Sequence, residues 1–156
     1  MKYIFLITLL FFSACSVKNY EQTRTKIIVI KSPKIKFADA GYIRNSANEV
    51  ELELFIAGKS IEKFTINRLI CTSEGCMSKS GFNDEYLNRA YPDDIMQSIL
   101  LGKAIYDEKD LVKTDYGFEQ YIKNDEVDII YRVDSHVIYF KDRKNGIIFK
   151  IKDIDE

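Results

Sequence analysis

The chain has 156 residues, a net charge of −1 at pH 7 and 46% hydrophobic residues, which suffices for one domain with a hydrophobic core. This balance shows no basic excess of the kind that nucleic-acid-binding proteins use against phosphates. The sequence contains no phosphate-binding loop, dinucleotide fingerprint, nucleophile motif or metal motif. We therefore expect a protein that is not an enzyme and that holds neither cofactor nor metal.

The N-terminal stretch has the layout of a secretory signal. Lys2 is followed by ten uncharged residues and then by Ser13, Ala14 and Cys15. The apolar part is too short to span a membrane, which takes about 20 apolar residues. The sequence Phe12-Ser13-Ala14-Cys15 resembles the lipobox of bacterial lipoproteins. This resemblance implies a signal peptide over 1–14 and acyl chains, such as palmitate, on Cys15; an ordinary cleaved signal with a chance cysteine is the alternative.

The predicted lipid anchor divides the chain into three parts. Residues 15–33 are interpreted as the lipidated cysteine and a tether that could include a strand at 26–31, and residues 34–156 as a single globular domain. By resemblance to lipoprotein sorting signals, Ser16 favours the outer membrane, with the body facing the periplasm. A Gram-positive host, with the anchor in the cell membrane, remains the alternative.

The first strands of the domain are predicted from hydrophobic alternation. Residues 34–43 are predicted to form the first strand. The apolar residues Val50, Leu52, Leu54 and Ile56 alternate with a row of glutamates, which predicts a strand with one solvated acidic face. Residues 61–70 are predicted as the next strand.

The two remaining cysteines, Cys71 and Cys76, are separated by four residues that include Gly75. In an oxidising compartment such a pair favours a disulfide, with free thiols as the alternative. A redox site would favour a Cys-x-x-Cys spacing, and a metal site needs more ligands than the single His136 could add.

Two helices are predicted in the middle of the chain. Asn83 is predicted to cap a short helix that runs through Ala90. A second helix extends from Pro92 to Gly102, with an apolar stripe at Ile95, Met96, Ile99 and Leu100. Asp93 and Asp94 are interpreted as helix-start charges rather than as a catalytic pair.

The C-terminal third returns to strands, at 118–123, 126–133, 136–142 and 147–151. Asn145-Gly146 is the strongest hairpin signal of the chain. The predicted class is α+β, an antiparallel sheet or half-barrel of about seven or eight strands with two mid-chain helices on one side.

Over residues 34–151 the order of elements resembles the lipoprotein-localisation (LolA/LolB) family, in its outer-membrane receptor branch. The matching features are a strand ending near Gly41, the helix Pro92 to Gly102 continuing into Lys103-Ala104-Ile105, and the strands Gly117 to Ile122 and Ile129-Ile130-Tyr131. The resemblance implies a half-barrel with a cavity for acyl chains. An immunoglobulin-like or other sandwich is the alternative on the same strands.

Two functions follow from these expectations. The first is a structural or protein-interaction module, held at the envelope by its lipid, with a packed interior and an envelope protein as partner. The alternative is a carrier or receptor for an apolar ligand, an acyl chain or a lipoprotein. Its cavity would be lined by Leu52, Leu54, Phe64, Ile66, Ile95, Ile99, Ile129 and Tyr131.

Overall fold

The computed structural model describes residues 20–154, so the predicted signal peptide and Cys15 lie outside the described residues. Eleven strands form one antiparallel sheet. The strands are β1 (Gln22–Lys31), β2 (Lys36–Asn45), β3 (Val50–Ile56), β4 (Lys59–Ile66), β5 (Leu69–Thr72), β6 (Gly75–Ser78), β7 (Leu111–Thr114), β8 (Gly117–Lys123), β9 (Asp128–Val133), β10 (Val137–Asp142) and β11 (Ile147–Asp153). Two helices, α1 (Lys79–Tyr86) and α2 (Ile95–Leu101), and a 3-10 turn at Tyr106–Glu108 connect β6 to β7.

The predicted α+β class with about seven or eight strands is wrong, because the described residues are mostly β, with eleven strands and only two short helices. The antiparallel sheet itself is confirmed. Part of the difference in strand number comes from residues 61–70, which the sequence pattern predicts as one strand. Asn67 and Arg68 instead turn the chain, so that β4 ends at Ile66 and β5 begins at Leu69.

The sheet consists of two meanders that meet at the chain's first and last strands. The strand order is β6-β5-β4-β3-β2-β1-β11-β10-β9-β8-β7. Strand β1, whose residues fall within the range interpreted as tether, pairs with β2 on one side and β11 on the other, with Ile28 opposite Ile151. The helical connection therefore runs from one edge of the sheet to the other.

Side chains alternate between two faces of the sheet, as the period of a strand requires. The inner face supplies the core, which includes Ile28 and Ile30 of β1, Phe140 of β10 and Phe149 of β11. Both helices lie on this face. The ring centre of Phe82 in α1 lies 5.9 Å from that of Phe64, and the Tyr131 hydroxyl donates to the carbonyl of Ser98 in α2 at 3.4 Å. The opposite face, here called the outer face, has no helix over it among residues 20–154.

The helix boundaries differ from the prediction for local reasons. Ser78, not Asn83, caps α1, because its hydroxyl accepts the backbone N–H of Gly81 at 3.0 Å. Asn83 lies inside α1, buried, and its amide donates to the carbonyls that follow the helix. The predicted end of the second helix at Gly102 is confirmed, with φ of 63° in the left-handed region.

Buried polar side chains fix the connections between these elements. Asp142 is fully buried and accepts hydrogen bonds from the Tyr91 hydroxyl at 2.8 Å and from the side chain of Asn145 at 2.6 Å. Burial, and then the hydrogen bond to Asp142, raise the pKa of Tyr91, so this phenol stays neutral. The predicted hairpin at Asn145-Gly146 is confirmed as the β10–β11 connection, and its first residues bond to Asp142.

Candidate functional site: a pocket at the rim of the sheet

An open pocket of about 290 Å³ lies at one end of the sheet, between strands β2 to β4 and helix α1. Phe37, Leu54 and Phe64 give it an apolar floor, and all three are buried core residues. Ile61, which is 49% exposed, stands at its margin. This rim pocket can therefore receive an apolar group that enters from solvent.

Charged and polar groups surround the opening of the rim pocket. The ammonium of Lys34 contacts the carboxylate of Glu85 and lies 5.2 Å from the ring centre of Tyr86. The hydroxyl of Tyr86 donates to Glu74 at 3.0 Å. The hydrogen bond with Glu85 raises the pKa of Lys34, and burial followed by the hydrogen bond to Glu74 raises the pKa of Tyr86. Lys34 is therefore a cation and Tyr86 a neutral donor at neutral pH.

The predicted disulfide is confirmed and contributes to this site. Cys71 of β5 and Cys76 of β6 are directly opposite in the strand register and are bonded. Their hairpin turns at Ser73 and Glu74, and Glu74 lines the rim pocket. Glu62 of β4 accepts hydrogen bonds from the backbone and hydroxyl of Ser73, at 3.0 and 2.8 Å. The cross-link and Glu62 together position this side of the opening.

All eight residues predicted to line a cavity are buried on the inner face or on α2, each at most 1% exposed. Leu54 and Phe64 line the rim pocket. All eight belong to one packed hydrophobic core, although β3 and β9 are separated by four strands of the sheet. The other six, including Ile95 and Ile99 of α2, do not line the rim pocket.

A charged cluster on the outer face was missed by sequence reasoning. The alternation in β3 predicted solvated glutamates, but the side chain of Glu51 is only 1% exposed. Its carboxylate accepts from the hydroxyl of Tyr20 at 2.8 Å and contacts Arg44 and Lys63, each at 2.7 Å. Arg44 also binds Glu53 at 2.7 Å. The only sequence signal for this cluster is the placement of basic residues at outer-face positions of the flanking strands, which requires the register to be known.

Burial disfavours the charged form of Glu51, but the hydrogen bonds from Lys63 and Tyr20, the charge of Lys63 and the hydrogen bond from Arg44 outweigh it. The pKa of Glu51 is consequently lowered, and this carboxylate is ionised at neutral pH. It stabilises the folded sheet and holds the first described residue, Tyr20, on the outer face. The Arg44 guanidinium lies 5.9 Å from the ring centre of Tyr20.

Neither a protein-family model, nor a curated protein, nor a solved structure matches this chain.

Within residues 20–154, no three His, Cys, Asp or Glu side chains are grouped as a metal ion would require. His136 is exposed and lies 3.4 Å from Asp153. None of the helices between residues 20 and 154 has the length and apolar character needed to cross a membrane. The rim pocket itself, with its apolar floor and with Lys34 and Tyr86 at its opening, can bind an apolar group beside a cation and a phenol.

Proposed function

We propose that this protein is a non-catalytic, lipid-anchored module of the bacterial envelope, and that it binds a protein partner through the rim pocket. The observation that supports this role most directly is the pocket itself. Its apolar floor is preformed, its margin is polar, and its size suits one or two apolar side chains of a partner. An apolar anchor in a pocket surrounded by polar contacts is the usual centre of a protein interface.

The packing of the inner face supports the same choice. Six of the eight residues that would line an acyl-chain cavity in a carrier lie in the packed core and do not line the rim pocket, each at most 1% exposed. The proposed location is the outer membrane, facing the periplasm, with the anchor on Cys15. A mass of the mature chain that lacks acyl chains on Cys15 would contradict the anchor without bearing on the pocket.

A photo-crosslinking amino acid at position 61 tests the partner proposal in intact cells. Ile61 lines the rim pocket and is 49% exposed, whereas Ile56 is 52% exposed and does not line it. The same substitution at Ile56 is therefore a matched control. We expect a discrete protein adduct from position 61 that is absent from position 56. Adducts of equal pattern from both positions, or none from either, would contradict binding at the pocket.

The alternative of an apolar-ligand carrier is favoured by one specific observation, the three apolar side chains Phe37, Leu54 and Phe64 on the pocket floor. The pocket volume of about 290 Å³ is at the small end of ligand sites, which span roughly 300–1,000 Å³. Native mass spectrometry of the mature chain distinguishes the two. A bound fatty-acid or phospholipid mass that is lost in Ile61→Glu and kept in Ile56→Glu would support the carrier.

A further inference from the structure

The outer face of three adjacent strands, β1, β11 and β10, is basic, although the chain as a whole carries a net charge of −1. Four lysines, here called the basic band, project from it at alternating positions of β1, β10 and β11: Lys31, Lys141, Lys150 and Lys152. The remaining outer positions of these strands hold only neutral residues: Thr23, Thr25, Ile27, Val29, Val137, Tyr139 and Ile148. The band therefore combines ammonium groups with apolar and aromatic side chains.

The lysines of the basic band have no carboxylate partner among residues 20–154. Every ion pair of the described chain involves other cations, such as Arg44, Arg132 and Arg143. Lys31 even stands directly opposite Lys36 of β2 in the strand register. Like charges that face one another across a ladder cost stability. Internal ion pairs therefore do not account for the band, and its ammonium groups are available to an external anion.

The position of the N-terminal segment indicates where that anion lies. Tyr20 is held on the outer face by Glu51 and Arg44. Cys15 precedes Tyr20 by five residues, and five residues extend at most about 18 Å. Acyl chains on Cys15 would therefore keep the membrane surface close to the outer face, at the end of the sheet where β1 begins.

We propose that the basic band contacts an anionic phospholipid surface, so that the outer face of the sheet lies along the membrane that holds the anchor. This inference rests on the proposed lipid anchor. The lysines would reach lipid phosphates, while Ile27 and Tyr139 lie between them at headgroup level. The rim pocket is formed at the end of the sheet where β1 ends, opposite the end at which Tyr20 is held, so it stays available to a partner.

Lysine labelling of the lipidated full-length mature protein tests this orientation. The protein is reconstituted in neutral phosphatidylcholine vesicles or in vesicles that also contain phosphatidylglycerol, and an amine-reactive reagent is followed by mass spectrometry at each lysine. We expect slower labelling of all four band lysines, Lys31, Lys141, Lys150 and Lys152, on the anionic vesicles, with the difference removed by high salt. Exposed lysines outside the basic band, Lys59, Lys109 and Lys113, are internal controls whose labelling should not change.

A charge-reversal variant provides a second measurement. Replacing Lys141, Lys150 and Lys152 by Glu should abolish the protection of Lys31 on anionic vesicles. The same change at Lys59, Lys109 and Lys113 alters net charge equally and should preserve it. If the band lysines are labelled at the same rate on neutral and on anionic vesicles, the membrane contact is overturned. Protection of these lysines by an added acidic protein would not restore it. Failure of the protein to float with neutral vesicles would overturn the lipid anchor, and the orientation argument with it.

Discussion

The charged cluster on the outer face, in which Glu51 binds Tyr20, Arg44 and Lys63, makes the stability of the sheet depend on one buried carboxylate. In Glu51→Gln the side chain keeps its shape but loses the charge that binds Tyr20, Arg44 and Lys63. Hydrogen bonds to charged groups contribute about 1.5–3 kcal/mol each where they are buried. The contacts of Glu51 with Lys63 and Arg44 contribute less than this, because Lys63 is 48% exposed and Arg44 keeps its bond to Glu53. We expect the free energy of unfolding to fall by about 2 kcal/mol.

Urea unfolding followed by circular dichroism and tyrosine fluorescence measures this loss. Glu119→Gln is the matched control, since Glu119 is also an outer-face glutamate bound to an arginine, Arg132, at 3.1 Å. That pair is solvent-exposed, and its loss should cost less than about 1 kcal/mol. If Glu51→Gln unfolds no more easily than Glu119→Gln, the buried cluster does not stabilise the sheet and the reasoning is refuted.

The same carboxylate gives the stability a pH dependence of known sign. The pKa of Glu51 is lower in the folded than in the unfolded chain, so its stabilisation is fully present above the unfolded value of about 4.3. It is lost as the pH falls through the folded value. The difference in unfolding free energy between the wild type and Glu51→Gln should therefore be constant near neutrality and shrink at acid pH. A difference that grows on acidification would contradict the assignment.

Three further changes test other parts of the fold by the same unfolding assay. Asn83→Ala removes the amide that donates to the buried carbonyl of Tyr91 and should cost about 1–3 kcal/mol, whereas no loss would show that water replaces the amide; the carbonyl of Pro92 keeps the N–H of Ile95 as a donor. Gly117→Ala places a methyl group 1.9 Å from the carbonyl oxygen of Val133 and should cost more than about 2 kcal/mol. Reducing Cys71–Cys76 should cost at most about 2 kcal/mol, because the closed loop is short; a global loss of structure would contradict this local role.

Sequence patterns predicted the elements whose signals are local. The hairpin at Asn145-Gly146 needs a left-handed glycine, and Gly146 has φ of 68°. The disulfide was predicted because its cysteines are close in sequence. Strands β5, β6 and β7 have only four residues each, too few for a period-two pattern to stand out. The strand count was consequently too low.

The sites depend on register, which the sequence alone did not provide. Glu51 alternates with buried residues as a solvated residue would, and only the pairing of β3 with β2 and β4 places Arg44 and Lys63 beside it. The rim pocket likewise combines residues from separate elements, including Phe37, Phe64 and Tyr86. Two of the predicted cavity residues, Leu54 and Phe64, reach it. The other six were predicted to line the same cavity but lie in the packed core, because alternation shows which residues are buried and not which of them reach a pocket.

The pairing of the first strand with the last affects how the chain can fold. Ile28 pairs with Asp39, which follows it closely in the sequence, and with Ile151, which comes far later in the sequence. The two meanders can each form from local contacts, whereas joining them requires residues 147–153. Contacts so distant in sequence slow folding. The two half-sheets therefore stay unjoined until residues 147–153 have been synthesised, and a deletion of β11 leaves their hydrophobic edges open.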